Sequence, residues 1–159
     1  MTDIKQSSID PDITSGVAQF LGPVVVDLTA LAVDGKQAHW HVRGENFQAV
    51  HELLDRVVKH ARAHADSAAE RVVALGLPID ARIQTVGAKA STPRSSGGFQ
   101  SSERVIAEMV AEIDAVLATV RTAVTELADL DPVSQDVAIE IARSLEKDRW
   151  FLFAHISTT

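Results

Sequence analysis

Apolar residues recur at helical spacing along almost the whole chain after residue 14, and this periodicity limits the fold more than any other feature of the sequence. The stretch 46–75 shows the pattern best, because one face of that helix collects Val50, Leu54, Val57, Val58, Ala61, Ala65, Ala68 and Val72. The same spacing predicts helices over about 15–42, 101–128 and 131–156. The first of these contains Gly22-Pro23, where the loss of a helical hydrogen bond predicts a bend or a restart. No strand pattern competes, so the chain is predicted to be all-α.

The connections between the four helices are short, long and short. The last one is short because Asp131-Pro132 combines a helix cap with a first-turn proline. The middle one, about 76–100, is rich in Gly, Pro and Ser, and it holds a possible short helix near 81–86. One long crossover is the connectivity of a ferritin-like four-helix bundle. We therefore predict a bundle domain over 15–157, preceded by a flexible tail over 1–14.

Composition excludes several classes of function. Fifteen Lys and Arg stand against 22 Asp and Glu, which gives a net charge of −7 and a surface that repels nucleic acids and anionic membranes. The absence of cysteine excludes disulfides, thiolate metal sites and cysteine nucleophiles. The start, MTDIKQSSIDPD, lacks the features of a signal peptide, and no apolar run approaches the ~20 residues that span a bilayer. We expect a cytoplasmic protein with no membrane partner.

A stripe of potential metal ligands runs along the second helix. At ~100° per residue, His51, Asp55, Asp66 and Glu70 lie on one side of it, but Asp55 and Asp66 are ~16 Å apart along the axis, too far for one site. The pairs 51/70 and 55/66 share the midpoint 60.5. Two copies of the helix that pair antiparallel about this point would place His51 opposite Glu70 and Asp55 opposite Asp66. The spacing predicts two identical clusters shared between chains, with ligands that suit iron, manganese or zinc.

Other polar residues of the second helix fit the same arrangement. Lys59 and Arg62 lie in the stripe near the two-fold axis, where we expect them to offset repulsion among the carboxylates. His60 and His64 point to the far side, towards the surface or the lumen of an assembly. No helical Glu is followed three residues later by His, so the intrachain di-iron site of conventional bundles is not predicted.

These residues carry a resemblance to a known family. The run Lys36-Gln37-Ala38-His39-Trp40, followed by Gly44, Phe47, His51, Asp55, Asp66 and Ala69-Glu70-Arg71, closely resembles the signature of the Dps proteins, the starvation-induced miniferritins. The resemblance covers about residues 15–157, including Leu145-Glu146-Lys147 and Trp150 in the last helix.

The resemblance implies a hollow homododecamer that oxidises and stores iron as a protection against oxidative stress. It implies a ferroxidase centre with His39, His51 and Asp55 from one chain and Asp66 and Glu70 from its partner. Fe(II) would be oxidised there, preferably by hydrogen peroxide, and deposited as a ferric mineral. Trp40 would supply an electron beside the centre, although packing in the core is an alternative role for it.

An acidic pore is also implied by position. Asp129, Asp131 and Asp136 resemble the family's three-fold channel, whereas the alternative is that Asp131 only caps the last helix and the other two are solvated. His41 stands where many relatives have Asn, so the surroundings of the centre differ. That histidine keeps open a second function, a hydrolase in which the same intersubunit cluster holds a metal ion that activates water.

DNA binding is the family property that this sequence supports least. DNA-binding members carry a tail rich in Lys and Arg, whereas the first 14 residues contain Lys5 against three Asp, and the chain ends in Ser157-Thr158-Thr159. A DNA-coating role needs basic groups that release counterions from the phosphate backbone. We therefore predict weak or absent DNA binding.

Overall fold

Five helices make up most of the computed structural model, which describes residues 7–157. The four long ones are α1 (Pro11–His41), α2 (Phe47–Ala74), α4 (Ser102–Glu126) and α5 (Pro132–Phe153), and the short helix α3 (Ile83–Lys89) lies in the crossover between α2 and α4. Two strands of two residues each, β1 (Val42–Arg43) and β2 (Gln100–Ser101), pair in parallel. The predicted all-α bundle with one long crossover is confirmed, and the two short strands are an addition that the sequence pattern did not indicate.

The beginning of α1 differs from the prediction. The Asp10 carboxylate accepts a hydrogen bond from the backbone N–H of Asp12 at 2.8 Å, and Pro11 occupies the first turn, where its missing N–H costs nothing. Residues 11–14 are therefore helical and do not belong to a tail, and residues 1–6 of the predicted tail lie outside the described range. The helix also continues without interruption through Pro23, so no restart occurs there.

Helix α1 is the apolar centre of the bundle. It is long and apolar enough to pass for a membrane span by length and composition, which the sequence analysis did not expect. More than half of its most apolar stretch is buried within the bundle. Leu21, Leu28 and Leu31 are fully buried against residues such as Leu54 and Leu117 of the neighbouring helices. Burial of this kind is the main favourable contribution to folding.

A glycine brings α1 close to α2 near the candidate site. A Cβ at Gly35 would lie 3.0 Å from Cγ2 of Val58, a tighter contact than side chains normally make. The turn that joins the two helices is tight as well, since Gly44 and Asn46 both adopt positive φ angles, of 98° and 58°. The end of α1 and the beginning of α2 are thereby held side by side.

The crossover is fixed to the bundle by one buried and one half-buried carboxylate. Asp27 of α1 accepts hydrogen bonds from the backbone N–H of Ser91 at 2.8 Å and from the Thr119 hydroxyl of α4 at 2.7 Å. Farther along, the backbone N–H of Ser96 donates to Glu108 of α4 at 2.9 Å. The segment after α3 therefore lies over the seam between α1 and α4.

Candidate metal centre

Two histidines lie face to face where α1 ends and α2 begins. The Nδ1 of His39 is 2.9 Å from the backbone oxygen of His51, and the Nδ1 of His51 is 2.9 Å from the backbone oxygen of His39. The rings stack with their centroids 3.6 Å apart. A carbonyl oxygen can only accept, so each Nδ1 is the donor, and Nε2 is the ring nitrogen left to bind a ligand. Histidines that bind metals are oriented by such bonds.

Asp55 lies one turn after His51 on α2. Its Oδ1 is 3.6 Å from Nδ1 of His39, and the same oxygen contacts the ammonium group of Lys36 on α1. The hydrogen bond from Lys36 lowers the pKa of Asp55 and outweighs the opposing effect of burial. The carboxylate is therefore ionised and ready to accept a cation at neutral pH.

The positive charge nearest to Asp55 was not predicted. Within one chain the direct contact comes from Lys36, whereas the role of Lys59 and Arg62 between two paired chains stays a prediction. Lys59 and Arg62 line the same open depression, of about 580 Å³, together with Asp55. The contact of Lys36 could not be predicted, since spacing along α2 says nothing about which residue of α1 packs beside it.

The ligand set within one chain is incomplete. Asp66 and Glu70 are exposed on α2, beyond the reach of Asp55 along the helix axis. Within residues 7–157 of one chain, no three His, Asp or Glu side chains are placed to hold a metal ion. The structure thus brings His39, His51 and Asp55 into one neighbourhood, and their pairing with Asp66 and Glu70 of the partner subunit stays a prediction.

Exposed aromatic residues flank the two histidines. Trp40 is 63% exposed, so the alternative that it packs in the core of its own chain is wrong. Phe47 is 45% exposed, and its ring centroid lies 5.1 Å from that of His51. Large aromatic side chains in water beside an incomplete ligand set are typical of a surface that another protein covers.

His41 turns away from the two histidines. Its Nδ1 lies 2.8 Å from the side-chain nitrogen of Gln37, and its ring packs edge-on against Phe99 of the crossover, with 5.3 Å between centroids. These contacts place His41 against the crossover, without a bond to His39 or His51 among the hydrogen bonds of the described residues. The hydrolase interpretation, which depended on this residue, gains no support from its position.

The three candidate pore residues differ in their surroundings. Asp131 is buried, caps α5 through the backbone N–H of Ser134 at 3.2 Å, and accepts a hydrogen bond from Arg71 at 2.7 Å. Burial alone would raise the pKa of Asp131, but the bonds from Ser134 and Arg71 outweigh it and lower the pKa. Asp131 therefore has the capping role that the sequence analysis gave as the alternative. Asp129 and Asp136 are exposed, and for them a pore stays a prediction.

Sequence reasoning missed the buried acids Asp27, Glu112 and Asp148, of which Glu112 has the most unusual surroundings. Glu112 of α4 is 1% exposed, and neither carboxyl oxygen has a hydrogen-bond partner among the described residues. Burial, and then the negative charges of Asp34 and Glu108, raise the pKa of Glu112 to about 8. The sequence did contain a signal, because this acid lies within the apolar stripe of α4, between Met109 and Val116.

Comparisons with known proteins agree with this fold. A family model described as a ferritin-like domain matches residues 21–159. The chain is 32% identical to the DNA protection during starvation protein of Mycolicibacterium smegmatis over 162 residues, which cover 99% of this chain and 86% of that protein. It is 30% identical to the DNA protection during starvation protein 2 of Deinococcus radiodurans over 141 residues, 89% of this chain and 58% of that longer protein.

Solved structures are similar over nearly the whole chain. The structure of Dps from Microbacterium arborescens in the high iron form has a TM-score of 0.91 and 54% sequence identity, covering 94% of this chain and 97% of that one. The tetragonal form of Dps from Mycobacterium smegmatis has a TM-score of 0.90 and 30% identity, covering 96% and 93%.

Proposed function

The chain belongs to the ferritin-like family and to its Dps members, and from this we propose that it is a ferroxidase that oxidises Fe(II) and stores the ferric product. Iron storage and DNA protection are the general roles of this family. The observation that carries the proposal is the reciprocal pair of bonds between His39 and His51, which leaves two Nε2 atoms free beside the ionised Asp55.

The substrate ion would be held between two subunits. His39, His51 and Asp55 of one chain supply two imidazoles and a carboxylate, and Asp66 and Glu70 of the partner subunit complete the set. Hard carboxylate oxygens favour the ferric product. Two imidazoles and three carboxylates leave coordination positions open for the oxidant. Two Fe(II) ions each give one electron to hydrogen peroxide. The O–O bond breaks, and two protons complete two molecules of water.

The exposed surface around the site supports the shared arrangement. A partner that covers Trp40 and Phe47 would remove water from the side of the centre that one chain leaves open. Trp40 would then stand beside the centre, where its indole would give hydrogen peroxide the second electron when only one Fe(II) is bound, and so limit the escape of a hydroxyl radical. We extend the proposal to a homododecamer built from such dimers, which acts in the cytoplasm, stores a ferric mineral and protects against oxidative stress.

The proposal is tested by the rate of Fe(II) oxidation with hydrogen peroxide, followed by the absorbance of the ferric product. His51→Ala removes one free Nε2, and His155→Ala is the matched control because His155 is exposed in the turn after α5. We expect His51→Ala to slow oxidation roughly 10-fold or more, with unchanged helicity and particle size, and the control to match the wild type. Equal rates in the two variants would contradict the proposal.

A further inference from the structure

A second pair of histidines lies on the side of α2 that faces α5. His60 and His64 are about 180° and 220° around the helix from His51, at ~100° per residue, so they are separate from the centre described above. Both are half-buried. The buried Asp148 of α5 lies against His60, and the exposed Glu140 lies two turns earlier on the same helix.

Asp148 fixes the orientation of the first histidine. The Nδ1 of His60 is 2.8 Å from Oδ2 of Asp148, and Asp148 itself is only 1% exposed. The other carboxylate oxygen lies 3.9 Å from Nε of Arg56. Because the carboxylate accepts, Nδ1 of His60 is the donor, and Nε2 is the atom left for a ligand. A carboxylate behind a histidine is the usual outer arrangement of metal-binding imidazoles.

His64 adds a second imidazole one turn along the same helix. Residues four apart on a helix have Cβ atoms ~5–6 Å apart, a spacing from which two side chains can reach one ion. The end of α2 meets the beginning of α5, where Arg71 donates a hydrogen bond to the Ser134 hydroxyl at 2.9 Å. His64 lies on α2 between that contact and the contact of His60 with Asp148, and Glu140 lies between the same two contacts on α5. Glu140 makes no side-chain hydrogen bond among the described residues and is therefore available.

We propose that His60 and His64 bind a divalent first-row transition metal ion through their imidazoles, with Asp148 orienting His60 and Glu140 as the carboxylate ligand from α5. Two imidazoles and one carboxylate, with water at the open positions, suit Zn(II) and Fe(II). Three ligands are not already assembled in the described part of the chain, so Glu140 turns towards the ion when it binds. The site is independent of the ferroxidase proposal, although Fe(II) is an ion that such an activity would supply.

Zn(II) is the probe for this site, because it is not oxidised and does not report on ferroxidase activity. The parent protein carries His51→Ala, which weakens the other centre. Binding of Zn(II) is measured by equilibrium dialysis with metal analysis, in the parent and after a further His64→Gln, Asp148→Asn or His155→Gln. The last variant is the matched control, since it removes an exposed histidine elsewhere.

We expect His64→Gln to remove one Zn(II) per chain from the binding curve and Asp148→Asn to weaken that ion roughly 10- to 100-fold. His155→Gln should bind like the parent. A curve for His64→Gln that matches that of His155→Gln would overturn the proposal, whether or not Asp148→Asn folds. In the protein with an intact His51, His64→Gln should oxidise Fe(II) at the wild-type initial rate. The two proposals can fail separately. If the wild type shows no ferroxidase activity but His64→Gln still removes one Zn(II) per chain, only the proposed function is contradicted.

Discussion

Glu112 makes the stability of the bundle depend on pH, and its replacement by glutamine should remove that dependence. The carboxyl group is buried with no hydrogen-bond partner among residues 7–157, and the negative charges of Asp34 and Glu108 act on it. Burial raises the pKa of Asp34 as well, which acts in the same direction. The folded chain therefore keeps Glu112 protonated at neutral pH, whereas the unfolded chain releases that proton near the ordinary pKa of 4.5.

The size of the effect follows from the two pKa values. A rise from 4.5 to about 8 corresponds to on the order of 5 kcal/mol, since one pKa unit is worth 1.36 kcal/mol. Between the two values the unfolded chain binds fewer protons than the folded chain, so the free energy of unfolding falls as the pH rises. Of this loss, on the order of 4 kcal/mol should occur between pH 5 and pH 8. Glutamine has no titrating proton, so Glu112→Gln should not show this loss of unfolding free energy.

The assay is urea unfolding of the wild type and Glu112→Gln at pH 5 and pH 8, at one chain concentration, followed by circular dichroism. The advantage of Glu112→Gln over the wild type should grow by on the order of 4 kcal/mol from pH 5 to pH 8. Glu126→Gln, an exposed change on the same helix, should shift by less than about 0.5 kcal/mol at both pH values. A difference between wild type and Glu112→Gln that is the same at both pH values would refute the reasoning.

Three further predictions concern the metal centre, the pore and DNA. Lys36→Met should increase the affinity of the Asp55 site for Zn(II) several-fold in a competition assay, because the ion no longer has to displace the ammonium group of Lys36. An unchanged affinity would count against competition between Lys36 and the metal ion. The double variant Asp129→Asn with Asp136→Asn should slow the uptake of Fe(II) measured by stopped flow. Asp131→Asn should instead lower the free energy of unfolding by ~1–3 kcal/mol, because its carboxylate loses the ionic hydrogen bonds from Arg71 and Ser134. The reverse pattern would contradict the assignment of Asp129 and Asp136 to a pore and of Asp131 to a helix cap. The assembly should not retard plasmid DNA in a gel at ~150 mM salt, and a stable complex there would show that a local basic patch outweighs the net charge of −7.

Periodicity predicted the fold because the bundle is built from long amphipathic segments. The predicted helices 46–75, 101–128 and 131–156 differ from α2, α4 and α5 by at most three residues at either end. The pairing of β1 with β2 was missed because a strand of two residues has no period to detect. The start of α1 was missed because it depends on the cap that Asp10 provides, in a segment with few apolar residues.

The site could be predicted only as far as one helix determines it. Spacing along α2 placed His51 and Asp55 on one side, but the bonds between His39 and His51 depend on how closely α1 approaches α2. The contact of Lys36 with Asp55 arises from the same approach, which Gly35 permits. Distances across two helices are set by packing, and a periodic pattern within one helix does not contain them.

The central claim, a centre shared between two chains, is tested most directly by mixing two inactive variants. His51→Ala lacks a ligand of one half-site and Glu70→Ala lacks a ligand of the other. In a mixed dimer one of the two centres then contains His51 and the partner's Glu70, so random pairing should restore about a quarter of the wild-type rate of peroxide-driven Fe(II) oxidation. Co-assembled particles shown by native mass spectrometry to contain mixed dimers, yet no faster than either variant alone, would contradict the account.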